Sequence, residues 1–134
     1  MEPLRRAVGA LGRSCAVWAA LPEEQHGGDM AETLRAGVIQ SFEFTYELCW
    51  KFMRRWLEMN IAADAADGVT RRELFRLCAE QKLLDDVEVW MGFHFARNIT
   101  SHVYDAEKAE EVLAAALAFL PVAENLLGRL EEKA

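Results

Sequence analysis

A chain of 134 residues is one ordinary domain, long enough to bury a core without disulfides or a structural metal. Its formal net charge of −7 repels nucleic acid as a whole, so any nucleic-acid contact needs a local basic patch. A hydrophobic fraction of 52%, with 10% aromatic residues, is high for so short a chain and predicts an apolar face left over for another subunit. Cys15, Cys49 and Cys78 are odd in number, far apart and without a CxxC pair, which argues against a disulfide framework or a zinc site and for a reducing cytosol. Arg5, Arg6 and Arg13 interrupt the first twenty residues, so these do not read as a signal peptide, and no apolar run approaches a span of ~20 residues. The expectation is a cytoplasmic protein with no membrane contact.

Helix one is predicted from about Pro3 to Leu21. Proline suits a first helical position, and Leu4, Val8, Leu11, Cys15 and Trp18 form one stripe at helical spacing. Pro22 and the Gly27-Gly28 pair end it. Helix two opens with Asp29 and Glu32, which read as a capping box, and continues to about Met59 with Gly37 as its one weak point. Ile39, Phe42, Tyr46, Cys49, Met53 and Trp56 form one stripe, and Phe44, Leu48, Phe52 and Met59 a second. At about 100° per residue the two lie on roughly opposite sides. A helix apolar on two sides is either central in a bundle or shared with another subunit, and a bundle this small favours a shared, dimer-forming face.

Asn60 to Val69, rich in Ala, Asp and Gly, reads as a loop. Thr70 with Glu73 opens helix three, running to about Lys82, and Asp85 with Glu88 opens helix four. The core stripe of helix four is Val87, Trp90, Met91, His94 and Asn98, with His94 read as a hydrogen-bonded core histidine. Asp105 caps helix five, which runs to about Glu132 with a kink at Pro121. With no strand pattern, repeat or linker, the expected fold is all-α: one antiparallel four- to five-helix bundle over residues 1–134.

The segment Arg97-Asn98-Ile99-Thr100-Ser101-His102-Val103-Tyr104-Asp105 concentrates chemistry. Arginine is a natural phosphate clamp, and histidine, with an ordinary pKa of about 6.5, exchanges protons near neutrality. These are the minimum for cleaving RNA without a metal: one group moves the proton and a cation stabilises the charged transition state. On a straight helix Arg97 and Tyr104 would differ by about 20° while His102 sat about 140° from Arg97. Either the helix breaks before His102 or the three residues do not share one chain's pocket. The plainer reading pairs Arg97 with a carboxylate, has His102 cap a helix end and packs Tyr104. On helix two, Gln40, Glu43, Glu47 and Lys51 make a polar ridge, either simply solvated or with Glu43 or Glu47 holding Arg97 across the bundle. His26, in a glycine loop, reads as exposed. Arg54, Arg55, Arg71, Arg72 and Arg76 form either a basic patch or solvated helix faces. No cluster of metal ligands surrounds His102, so neither metal nor cofactor is expected.

Two segments together, Ile39-Gln40-Ser41-Phe42-Glu43-Phe44-Thr45-Tyr46-Glu47-Leu48-Cys49-Trp50-Lys51 and Arg97-Asn98 through His102-Val103-Tyr104-Asp105, resemble the nucleotidyltransferase substrate-binding protein family of the HEPN superfamily. The resemblance covers most of the chain and implies a small helical bundle that dimerises beside a minimal nucleotidyltransferase. It implies either a non-catalytic substrate-binding or adaptor subunit, or a toxin similar to the HepT type. In the latter an Arg-x4-His-x-Tyr motif forms a metal-independent ribonuclease site at the dimer interface, and the transferase, as antitoxin, adenylylates the tyrosine. Carried over, Arg97 and His102 are the ribonuclease pair, Asn98 a supporting polar residue of the catalytic set, and Tyr104 the modified position. Glu43, Glu47 and Lys51 stand as supporting residues. The sequence carries Ser101 and Val103 where relatives commonly have other polar residues. The expected partners are a second copy, the transferase and RNA.

Overall fold

A computed structural model describes residues 1–102 and 104–134; Val103 of the motif lies outside the described residues. Among these, five α-helices and no strand occur: α1 (Glu2–Ala20), α2 (Asp29–Asn60), α3 (Arg71–Glu80), α4 (Val87–Asn98) and α5 (Ala106–Glu132). Short 3-10 turns, Glu23–Gln25 and Thr100–His102, follow α1 and α4.

The predicted stripe of α1 is buried throughout, and the helix stops where Leu21 turns extended ahead of Pro22. At 32 residues, about 48 Å, α2 is the long axis of the bundle. Ile39, Phe42, Tyr46, Cys49 and Met53 are buried from its first stripe. Thr45 is buried with them and donates its hydroxyl to the Ala7 carbonyl of α1 at 3.3 Å. On the second stripe Leu48 and Phe52 are half-buried against the core, while Phe44 is 61% and Met59 73% exposed, so that side is only partly covered by the described residues.

The hub of the core is Phe119 of α5. Its ring lies 5.3 Å from Phe42, 5.5 Å from Trp90 and 4.9 Å from Phe93, all edge-on, the arrangement that ring quadrupoles favour. Three helices, α2, α4 and α5, are thereby pinned at one point. All three cysteines are free and buried. One stretch within α5 reaches a mean hydropathy of 1.5 over 18 residues, so, contrary to the sequence reading, one helix is long and apolar enough to cross a membrane by length and composition. Its apolar residues Val112, Leu113, Phe119, Leu126 and Leu130 are buried in the bundle.

Two caps form as predicted: Thr70 accepts from the Glu73 amide, and Asp105 from Glu107 and Lys108. Two others differ. The N-cap of α2 is Gly28, with no side-chain bond, and Asp29 is already helical. The N-cap of α4 is Asp86, which accepts from Glu88 and Val89. Asp85 instead accepts, through its two oxygens, from the single nitrogen Nη2 of Arg129 at 2.7 and 2.8 Å, so the distant cation wins that aspartate. Helix α3 ends two residues early, at Glu80, because Lys82 adopts a left-handed conformation (φ 61°). Leu83 N–H then reaches the Cys78 carbonyl and Lys82 N–H the Ala79 carbonyl, the paired bonds of a Schellman ending. Pro121 sits inside α5 without ending it.

Candidate functional site

The site residues gather where α4 ends against the middle of α2. Helix α4 stops at Asn98, and Ile99 and the turn Thr100–His102 redirect the chain toward the Asp105 cap of α5. Thr100, buried, secures the break: its hydroxyl donates to the Arg97 carbonyl at 2.8 Å and accepts from Arg97 Nη1 at 3.0 Å. The break voids the straight-helix geometry in which Arg97 and Tyr104 would share a face.

Arg97 meets the ridge of α2. Nη1 lies 3.5 Å from Glu43 Oε2, and Nε 3.3 Å from Glu47 Oε1. All three side chains are about two-thirds covered, so these pairs are less screened than surface ones. The Nε contact is off the hydrogen-bonding line, leaving a buried N–H with no acceptor among the described residues. A surface hollow of about 380 Å³, lined by Gln40, Glu43, Phe44, Glu47, Leu48, Lys51 and Arg97, opens over this point. Lys51 also lies 5.7 Å from the Trp50 ring, a cation over an aromatic face. His102 and Tyr104 sit apart from the hollow. Both are exposed, Tyr104 at 85%, and their rings lie 6.1 Å apart. Among the described residues no hydrogen bond joins either to Arg97. Glu43 and Glu47 therefore hold Arg97 as one reading of the ridge expected, while His102 and Tyr104 remain free.

The model of the family "nucleotidyltransferase substrate binding protein like" matches residues 1–132. The chain belongs to this family. Among its relatives, a Haemophilus influenzae protein named as a probable ribonuclease HepT is 39% identical over 103 residues, which cover 76% of this chain and 70% of that one. A solved H. influenzae structure, described as revealing the fold of a nucleotidyltransferase substrate-binding domain, superposes with a TM-score of 0.84 at 31% identity, covering 97% of this chain and 98% of that one. A structure from Thermus thermophilus shares the fold, with a TM-score of 0.76 at 24% identity over 95% and 98% of the two chains.

Behind the family motif stands a set of side chains that spacing did not bring together. Tyr46, on the core stripe of α2, hydrogen-bonds His94 Nδ1 at 2.9 Å and accepts from Arg71 Nη1 at 3.3 Å. Asn98 Nδ2 stands 3.5 Å from His94 Nε2. Arg71 also stacks 3.8 Å over Trp50, whose indole N–H donates to Glu47 Oε2 at 3.0 Å. From Arg71, at the start of α3, one line of contacts thus runs through Tyr46 and His94 to Asn98, and another through Trp50 and Glu47 to Arg97. Burial pushes the Tyr46 phenol up to about 12, against the opposing pull of Arg71. Burial first, then the Arg71 charge, lowers the pKa of His94 below its ordinary value, with Glu47 opposing. His94 is the hydrogen-bonded histidine expected on its stripe. Arg71 is neither patch nor solvated face, because its guanidinium is committed to Trp50 and Tyr46. His26 is not simply exposed: it stacks 4.7 Å from Trp18 and its Nε2 lies 3.1 Å from the Leu21 carbonyl. The signal for the missed set is a tyrosine and a histidine on two core stripes, since each carries a polar atom that burial obliges to find a partner.

Proposed function

We propose that the chain works as the partner subunit of a minimal nucleotidyltransferase and that two copies, meeting on the open side of α2, form a metal-independent ribonuclease site from Arg97, His102 and Asn98. In cleavage the RNA 2′-oxygen attacks the adjacent phosphorus, its proton passes to a base, and the 5′-oxygen leaves protonated with a cyclic phosphate behind. His102 is the proton-transfer group and Arg97 the cation on the phosphoryl oxygens. The transferase silences the site by adenylylation: Tyr104 Oη attacks the α-phosphorus of ATP, pyrophosphate leaves, and the phenolic proton goes to solvent. The observation that carries this reading is the 85% exposure of Tyr104 beside an exposed His102, which offers the hydroxyl to a second protein's active site.

Intact-mass measurement after incubation with the transferase encoded beside it and ATP is the test. One AMP-sized adduct is expected on the wild type and none on Tyr104→Phe, which should keep cleaving RNA in the presence of the transferase. No adduct on the wild type, or an unchanged one on Tyr104→Phe, overturns the silencing mechanism. Arg97→Ala and His102→Ala should each lose cleavage by on the order of a thousandfold without unfolding the bundle.

A second reading, a non-catalytic adaptor subunit, is favoured by the two carboxylates on Arg97, which already oppose its charge. It predicts that the wild type cleaves no RNA and that Arg97→Ala still binds the transferase.

A further inference from the structure

The polar line ending at Asn98 has a direction that hydrogen-bond chemistry determines. Arg71 can only donate, so Tyr46 Oη accepts from it. The Tyr46 hydroxyl is buried, and its own proton needs an acceptor; His94 Nδ1, at 2.9 Å, is the one within reach. Nδ1 is therefore bare. A neutral imidazole with a bare Nδ1 carries its proton on Nε2, the nitrogen facing Asn98. Were the proton on Nδ1 instead, the buried Tyr46 O–H would have no partner.

A donor on Nε2 cannot meet the –NH2 of Asn98, which stands at 3.5 Å. The two ends of an asparagine amide have nearly the same size, so a half-turn about its terminal bond puts Oδ1 where Nδ2 stands. Oδ1 then accepts from His94, and both N–H donors of this exposed amide are left for an outside acceptor.

We propose that His94 is a positioning residue that turns the Asn98 amide so that its –NH2 donates to an oxyanion ligand, a nucleotide phosphate, alongside the Arg97 guanidinium. The groups around His94 are consistent with this polarity: Tyr46 and Glu47 from α2, Arg71 from α3, and Asn98 on its own helix. The choice of an RNA phosphodiester as that ligand rests on the ribonuclease reading; the direction of the chain does not.

The experiment is nuclear magnetic resonance on the full chain at neutral pH, with adenosine 3′-monophosphate as probe. Long-range proton–nitrogen spectra should show His94 protonated on Nε2 and bare on Nδ1, and Tyr46→Phe should shift population toward the other tautomer. The Asn98 side-chain N–H resonances should move on titration in the wild type and stay still in His94→Leu. His94→Gln, which keeps an amide donor near the place of Nε2, should restore the response. RNA cleavage should fall on the order of tenfold in His94→Leu and recover in His94→Gln. A His94 protonated on Nδ1, or an Asn98 amide that responds alike in wild type and His94→Leu, overturns the proposal. Should His94→Leu fail to fold, the tautomer in wild type and Tyr46→Phe decides. A wild type with the expected tautomer and Asn98 response but no RNA cleavage overturns the ribonuclease reading alone.

Discussion

The two apolar stripes of α2 have nearly the same character in the sequence, yet the structure encloses most of one and leaves the other half open. Phe42 is enclosed and presses on the edge of Phe119, whereas Phe44, two positions on, is 61% exposed beside the hollow that Arg97 borders. Helical spacing identifies an apolar face; it carries no information about what covers it. One face is covered by α5 and α4 of the same chain. The other lies beside the charged ridge, where an apolar surface and an arginine held by two carboxylates occupy the same few turns.

The sharpest way to break the comparison is at its covered side. Phe119→Ala removes the ring that joins α2, α4 and α5 and should destabilise the protein by about 3–5 kcal/mol, read as a lowered denaturation midpoint. A loss below about 1 kcal/mol would mean the hub repacks and the two faces differ less than their burial indicates. On the open side, Phe44→Glu should leave the stability of the isolated chain within about 0.5 kcal/mol, as surface changes do. It should nonetheless weaken self-association, read by sedimentation at micromolar concentration, because an interface of about 1,200–2,000 Å² cannot bury a lone carboxylate without loss. Unchanged sedimentation would remove this face from the proposed dimer. The smallest effect lies away from both faces. Lys82→Gly relieves a left-handed backbone while keeping the Schellman bonds of α3, and should stabilise by about 0.5–1 kcal/mol in denaturant titration.

The fold was legible because its signals are local. The stripe of α1, the Thr70 and Asp105 caps and the long apolar run of α2 each lie within a few residues of what they specify. The cap of α4 was misread because a distant residue decides it. Asp85 and Asp86 are equivalent candidates for one cap until Arg129, 44 residues away, binds the first. Glu43 and Glu47 could be matched to Arg97 because a ridge of carboxylates has an evident use for one arginine. The line from Arg71 to Asn98 could not be traced, since its members come from three helices and nothing in their spacing records the approach. The break after Asn98 is intermediate: the Asp105 cap hints at it, but Thr100, which ties it, is silent in sequence.

Arg71 opens a helix of only ten residues. A helix that short is not stable alone in water, so α3 persists only while docked. Its amides should therefore exchange with solvent sooner than those of α2 or α5, through partial openings that lift Phe75 from Trp90. Each such opening withdraws the guanidinium from Tyr46 and Trp50 together. For that interval Asn98 loses the polar line behind it while Glu43 and Glu47 keep their hold on Arg97, so the two neighbours at the end of α4 are steadied on different timescales.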